Sequence, residues 1–138
     1  MKIAIFVPLL MALVEGKIFN NCELAHQLIK HGLPRDEIAT WVCIAFRESS
    51  YNTKAVSYSH CYGLFQICQE WWCSPPGKGC GVKCTQLIND DIADDVRCVK
   101  IIFEQTRRLT GNGFSAWEVY PMCKNASSAL SYVKDCTL

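Results

Sequence analysis

The chain has little net charge and no run of basic residues. Its formal charge is +1, and Asp, Glu, Lys and Arg make up 20% of it, below the roughly 25% of an average soluble domain. A polyanion binder needs a basic stripe to neutralise phosphates, so nucleic acid is not an expected partner. Long apolar runs are missing as well. The N-terminal run from Ile3 to Leu13 falls short of the ~20 residues that carry a helix across a bilayer, which excludes a membrane span. The histidines, His26, His31 and His60, match no catalytic triad. Cys80 with Cys84, and Cys68 with Cys73, lack the repeated two-residue spacing and partner histidines of a zinc site. No linker or second domain is visible.

Cysteine, by contrast, is abundant. Met1-Lys2, the apolar run and then Val14-Glu15-Gly16 have the charge, core and small-residue layout of a secretory signal peptide over residues 1–16. A mature domain over 17–138 follows, secreted and extracellular. All ten cysteines lie beyond Gly16, and an even number in a small secreted chain reads as disulfides.

Leu24, Ala25, Leu28 and Ile29 form a helical stripe within Cys22–His31, with Gly32 at the position of a C-terminal cap. Pro34 opens a second helix through about Glu48, with Ile38, Trp41, Val42, Ala45 and Phe46 spaced as one buried face. Val56 to Ile67, interrupted by Gly63, reads as a short hairpin, and Ser74 to Gly79 as a loop. A third helix spans Asn89 to Gln105, with Ile92, Val96, Val99 and Phe103 inward, and Gly111-Asn112-Gly113 breaks the chain before a shorter helical tail. The expected architecture is α+β, a helical lobe plus a small antiparallel hairpin lobe, rich in disulfides.

Cys61-Tyr62-Gly63-Leu64-Phe65-Gln66-Ile67-Cys68, running into Trp71-Trp72-Cys73 and preceded by Phe46-Arg47-Glu48-Ser49-Ser50, resembles the active-site hairpin of c-type lysozymes. Lys17-Ile18-Phe19, Cys22-Glu23-Leu24-Ala25, Trp41-Val42-Cys43 and Asn112-Gly113 to Trp117 match in the same order. Insect-like detail appears in Gly32-Leu33-Pro34-Arg35-Asp36 and Cys43-Ile44-Ala45. The resemblance implies the lysozyme-like fold and the pairings Cys22–Cys136, Cys43–Cys123, Cys73–Cys84 and Cys80–Cys98, leaving Cys61 and Cys68 over. These two stand where the family carries an acidic residue and an asparagine, facing each other across two antiparallel strands. Opposed Cα atoms about 4.5 Å apart fall within the span a disulfide accepts. Either a fifth bridge, Cys61–Cys68, forms, or two thiols stay inert through burial.

Lysozyme is the type case of paired carboxylates, with a glutamate acid kept protonated in an apolar pocket against a tryptophan. By resemblance Glu48 is that acid and Trp117 its partner, while Gln66, Trp71, Trp72, Ala116 and Trp117 match sugar-contacting positions. A cystine at 61 supplies neither charge nor nucleophile, so hydrolysis is expected to be strongly impaired. A free Cys61 thiol would hold little thiolate at neutral pH. Twelve residues separate Glu48 from Cys61, fewer than in the family, which shortens a loop that lines the sugar cleft. Two readings follow. One is a lysozyme-type hydrolase of β-1,4-linked peptidoglycan or N-acetylhexosamine glycan, weakened but serving antibacterial defence. The other is a non-catalytic protein of the same fold that binds glycan or a protein, as α-lactalbumin does.

The implied partner is bacterial cell wall or a chitin-like glycan, met by a monomer, with no cofactor required. Gln86 to Asp95 resembles the calcium loop of α-lactalbumin, with Asn89, Asp94 and Asp95 side chains and the Gln86 and Asp91 carbonyls as oxygen donors. The same acidic residues also suit the capping of a helix N-terminus. Asn125-Ala126-Ser127 is an N-glycosylation sequon.

Overall fold

A computed structural model describes residues 16–138. The expected signal peptide, Gly16 apart, lies outside them.

Helix α1 covers Asn21–Lys30 and begins on a reciprocal cap: Asn20 accepts from the Glu23 amide, while Glu23 accepts from the Asn20 amide. A 3₁₀ turn, Arg35–Glu37, leads into α2, Ile38–Ser49. Pro34 therefore stands before a turn of 3₁₀ helix and not at the first residue of α2. Strands β1 (Cys61–Tyr62) and β2 (Ile67–Cys68) pair antiparallel, and β3 (Cys73–Ser74) and β4 (Val82–Lys83) pair parallel. Helix α3 covers Ala93–Thr110, and 3₁₀ turns at Gly113–Ala116 and Tyr120–Met122 lead to α4, Ala126–Leu130.

Three boundaries differ from expectation. The hairpin is shorter because Gly63 and Gln66 both take positive φ, 78° and 50°, which turns the chain between Tyr62 and Ile67. Helix α3 starts later because Asn89 and Asp91 turn the chain, their Oδ1 atoms accepting from the Asp91 and Ala93 amides, and Ile92 is the N-cap. It runs on past Gln105 to Gly111, whose φ of 88° ends it as a left-handed cap. Phe46, expected inward, is 42% exposed and instead packs its ring against Tyr51 and Tyr132.

The core centres on Trp41, whose ring lies 5.8 Å from Phe65, 4.8 Å from Phe114 and 5.0 Å from Trp117. Five disulfides tie the chain: Cys22–Cys136, Cys43–Cys123, Cys61–Cys68, Cys73–Cys84 and Cys80–Cys98. Their loop lengths differ greatly, and loop length sets how much freedom each removes from the unfolded chain. Cys22–Cys136 spans 114 residues and Cys61–Cys68 only 7. The first is the main staple of the fold, whereas the second fixes a local wall.

Asp95, near the start of α3, is 1% exposed and no side chain hydrogen-bonds to either of its carboxyl oxygens. It lies against Gly63, where any Cβ would collide with the Leu87 carbonyl and crowd Asp95 Oδ2. Burial pushes its carboxyl up to about 8, with Asp94 and Asp91 adding to the shift and the amides of Asp95 and Leu64 offsetting only part of it. A carboxyl raised on folding stabilises the fold below its unfolded value and loses that contribution as pH rises through about 8. The protein is therefore expected to melt at lower temperature at pH 9 than at pH 5, and Asp95→Asn is expected to remove most of that difference. Melting curves in chelator at the two pH values check this.

Candidate active site

Glu48 sits in the last turn of α2, and what places it there is the way that helix stops. Ser50 and Tyr51 take left-handed φ of 53° and 67°, which turns the backbone sharply. Ser49 Oγ reaches across to the Leu64 carbonyl at 2.8 Å, joining the helix end to the β1–β2 turn. Trp117 is fixed from the other side: it is 5% exposed and its Nε1–H donates to the Phe65 carbonyl at 3.0 Å. Its ring also packs edge-on to Trp41. Helical core and hairpin are thus joined where Glu48 and Trp117 emerge.

Between the lobes lies a cleft of about 520 Å³, within the range of small-molecule sites. Glu48, Cys61, Cys68, Gln66, Trp71, Trp72, Ala116 and Trp117 all line it. Trp71 is 60% exposed and free to meet a ligand face, while Trp72 is half-buried against the core. Gln66 is less free than its position suggests, because its Nε2 donates to the Ala55 and Gly63 carbonyls. Only its amide oxygen remains for a ligand. Cys61 and Cys68 face one another in register and are bonded, so the wall opposite Glu48 carries a cystine.

Glu48 is half-buried, and its carboxyl is raised to about 7, first by burial and second by the negative charge of Glu118. Ser57, Ser59, Ile67, Ile102, Val119 and Glu118 also line the cleft. Sequence reasoning assigned nothing to these six. The one available signal for Glu118 was its place next to Trp117.

This combination of a helix-end glutamate, a buried tryptophan beside it and a Trp-Trp lip across a two-lobed cleft has close parallels. The C-type lysozyme/alpha-lactalbumin family model matches residues 17–136. The chain belongs to that family. Lysozyme C-2 of Bos taurus is 41% identical over 140 residues, covering 91% of this chain and 90% of the bovine one. Lysozyme D of Drosophila melanogaster is 37% identical over 131 residues, covering 88% and 87%. Among solved structures, a lysozyme from Litopenaeus vannamei superimposes with a TM-score of 0.79 at 37% identity, covering 89% of this chain and 99% of that one. The lysozyme fold and a lysozyme-like, glycan-acting protein follow from these likenesses.

The segment with calcium-loop resemblance is held by its own turns and one ion pair. Asn89 Oδ1 accepts from the Asp91 amide, Asp91 Oδ1 from the Ala93 amide, and Asp94 pairs with Arg97 at 3.1 Å. Among the described residues no three His, Cys, Asp or Glu side chains converge as metal ligands. Of the side chains in the expected donor set, Asn89 thus serves a turn and Asp94 an ion pair, while Asp95 is buried with no side chain bonded to its carboxyl oxygens. Asn125, of the sequon, caps α4 by accepting from the Ser127 and Ser128 amides.

Proposed function

We propose that this family member is secreted and binds β-1,4-linked N-acetylhexosamine glycan of the peptidoglycan or chitin type, with Glu48 as general acid and with hydrolysis strongly impaired. The observation that carries this reading is the pairing across one cleft of a glutamate raised to about 7 with a cystine at Cys61–Cys68. A protonated Glu48 can give its proton to a glycosidic oxygen as the C–O bond breaks. The sugar then becomes cation-like, and the opposite wall offers it neither an anion nor a nucleophile. Binding survives this loss better than catalysis does, because aromatic faces such as Trp71 stack on sugar rings without any charge. The non-catalytic reading, glycan binding alone, is favoured by the cystine itself.

A cell-wall turbidity assay run beside a chitooligosaccharide titration followed by tryptophan fluorescence separates the two. Measurable but slow lysis with saturable binding supports the first reading. Binding without lysis supports the second, and the absence of both sinks the glycan assignment. Residual lysis is expected to fall as pH rises through about 7, where Glu48 loses its proton. A rate that instead rises across that interval would mean that Glu48 works as a base.

A further inference from the structure

We propose that Glu118 is a positioning residue of this cleft, a charge partner that biases Glu48 toward its proton-donating form. This rests on the reading of Glu48 as an acid and adds a charge that works beside burial to favour its protonated form. In a two-carboxylate site the second anion has two effects. It steadies the sugar cation, and by like-charge repulsion it disfavours ionisation of the acid. The Cys61–Cys68 cystine can do neither.

The surroundings of Glu48 single out Glu118 for the second of these effects. On the hairpin side the cleft is lined by Ser57, Ser59, Cys61, Gln66, Ile67 and Cys68, all uncharged. The lip contributes Trp71 and Trp72, and α3 contributes Ile102. From the segment after α3 come Ala116, Trp117, Glu118 and Val119. Glu48 and Glu118 are thus the acidic groups of the lining, and no Lys, Arg or His stands among them. Glu118 forms no ion pair or side-chain hydrogen bond with another described residue, so its charge is not neutralised before it reaches Glu48. Its chain position is also held. Trp117 is anchored to Phe65, and the Trp117 amide donates to the Phe114 carbonyl. Glu118 follows directly on that fixed point. It is a positioning residue, acting on the reaction through the protonation of Glu48.

The test is a direct titration of the Glu48 carboxyl by carbon-13 NMR in the full mature protein, comparing wild type with Glu118→Gln, Glu118→Lys and Glu118→Asp. A like charge acting across a shared cleft moves a midpoint by on the order of half a pH unit. The Gln variant is expected to lower the Glu48 midpoint by that amount and the Lys variant by more, while Asp restores most of the wild-type value. Added salt is expected to shrink the difference, because the interaction crosses solvent. An unchanged Glu48 midpoint in both the Gln and Lys variants, with native circular dichroism, overturns the inference. The titration needs no hydrolysis, so a protein that never cleaves glycan but shows the shift retains the charge pair and loses only the acid-catalysis reading.

Discussion

Replacing Cys61 with Asp and Cys68 with Asn in one variant is expected to raise peptidoglycan hydrolysis by on the order of a hundredfold. The two substitutions belong together: they remove both halves of one cystine, leave no odd thiol, and place a carboxylate and an amide opposite each other across β1 and β2. A carboxylate at position 61 faces the same cleft as Glu48 and would meet the positive charge that develops as the glycosidic bond breaks. Because the transition state gains more from that anion than the ground state does, the gain should appear in kcat more than in KM. Losing a short bridge has a cost. Closing a loop of this length contributes about 2 to 3 kcal/mol in the chain-entropy description, so the melting temperature should fall while the rate rises. A parent protein that already lyses cell walls as fast as lysozymes carrying both carboxylates would show that the missing anion is not limiting. A variant that binds chitooligosaccharide yet gains no rate would place the remaining defect in the short loop between Glu48 and Cys61.

The second large effect belongs to Glu48. Glu48→Gln keeps the shape of the side chain and removes its proton, so residual hydrolysis is expected to drop by roughly a hundredfold to ten-thousandfold, the usual worth of a positioned general acid. Binding should change little, since Trp71, Trp72 and the Gln66 oxygen remain in the cleft. The variant should also be at least as stable as the parent at pH 8 and above, where the parent must hold a charge in a half-buried position that has no hydrogen-bond donor among the described residues. Turbidity and fluorescence titration on the same preparation decide the matter. Full activity in the Gln variant would remove Glu48 from the mechanism.

How much of this was legible beforehand can be judged residue by residue. The 3.6-residue spacing of Leu24, Ala25 and Leu28 identifies the buried face of α1, and all three are buried. The same rule over-reached at Phe46, because periodicity cannot foresee that α2 stops three residues later and that Tyr51 folds back to meet the ring. The hairpin was over-extended for a related reason. β-branched and aromatic residues favour strands, but the positive φ at Gln66 is not a choice its side chain announces. Glu118 shows the limit most clearly. A lone glutamate in a loop is ordinarily a solvated surface group, and only the fold brings it into one cleft with Glu48, 70 positions earlier in the chain. Asp95 is similar: nothing in its acidic neighbours announces that the fold buries it against Gly63 with no side-chain partner.

The cystine that removes a charge from the cleft also removes motion from it. Cys61 and Cys68 close a ring around the turn that carries Gly63 and Gln66, so this wall keeps one shape whether or not a sugar is present. A ligand docking there need not freeze a mobile hairpin, and affinity that a looser wall would lose to ordering is retained. The same cystine therefore does two things to the cleft: it fixes the shape of one wall and leaves position 61 without a charge.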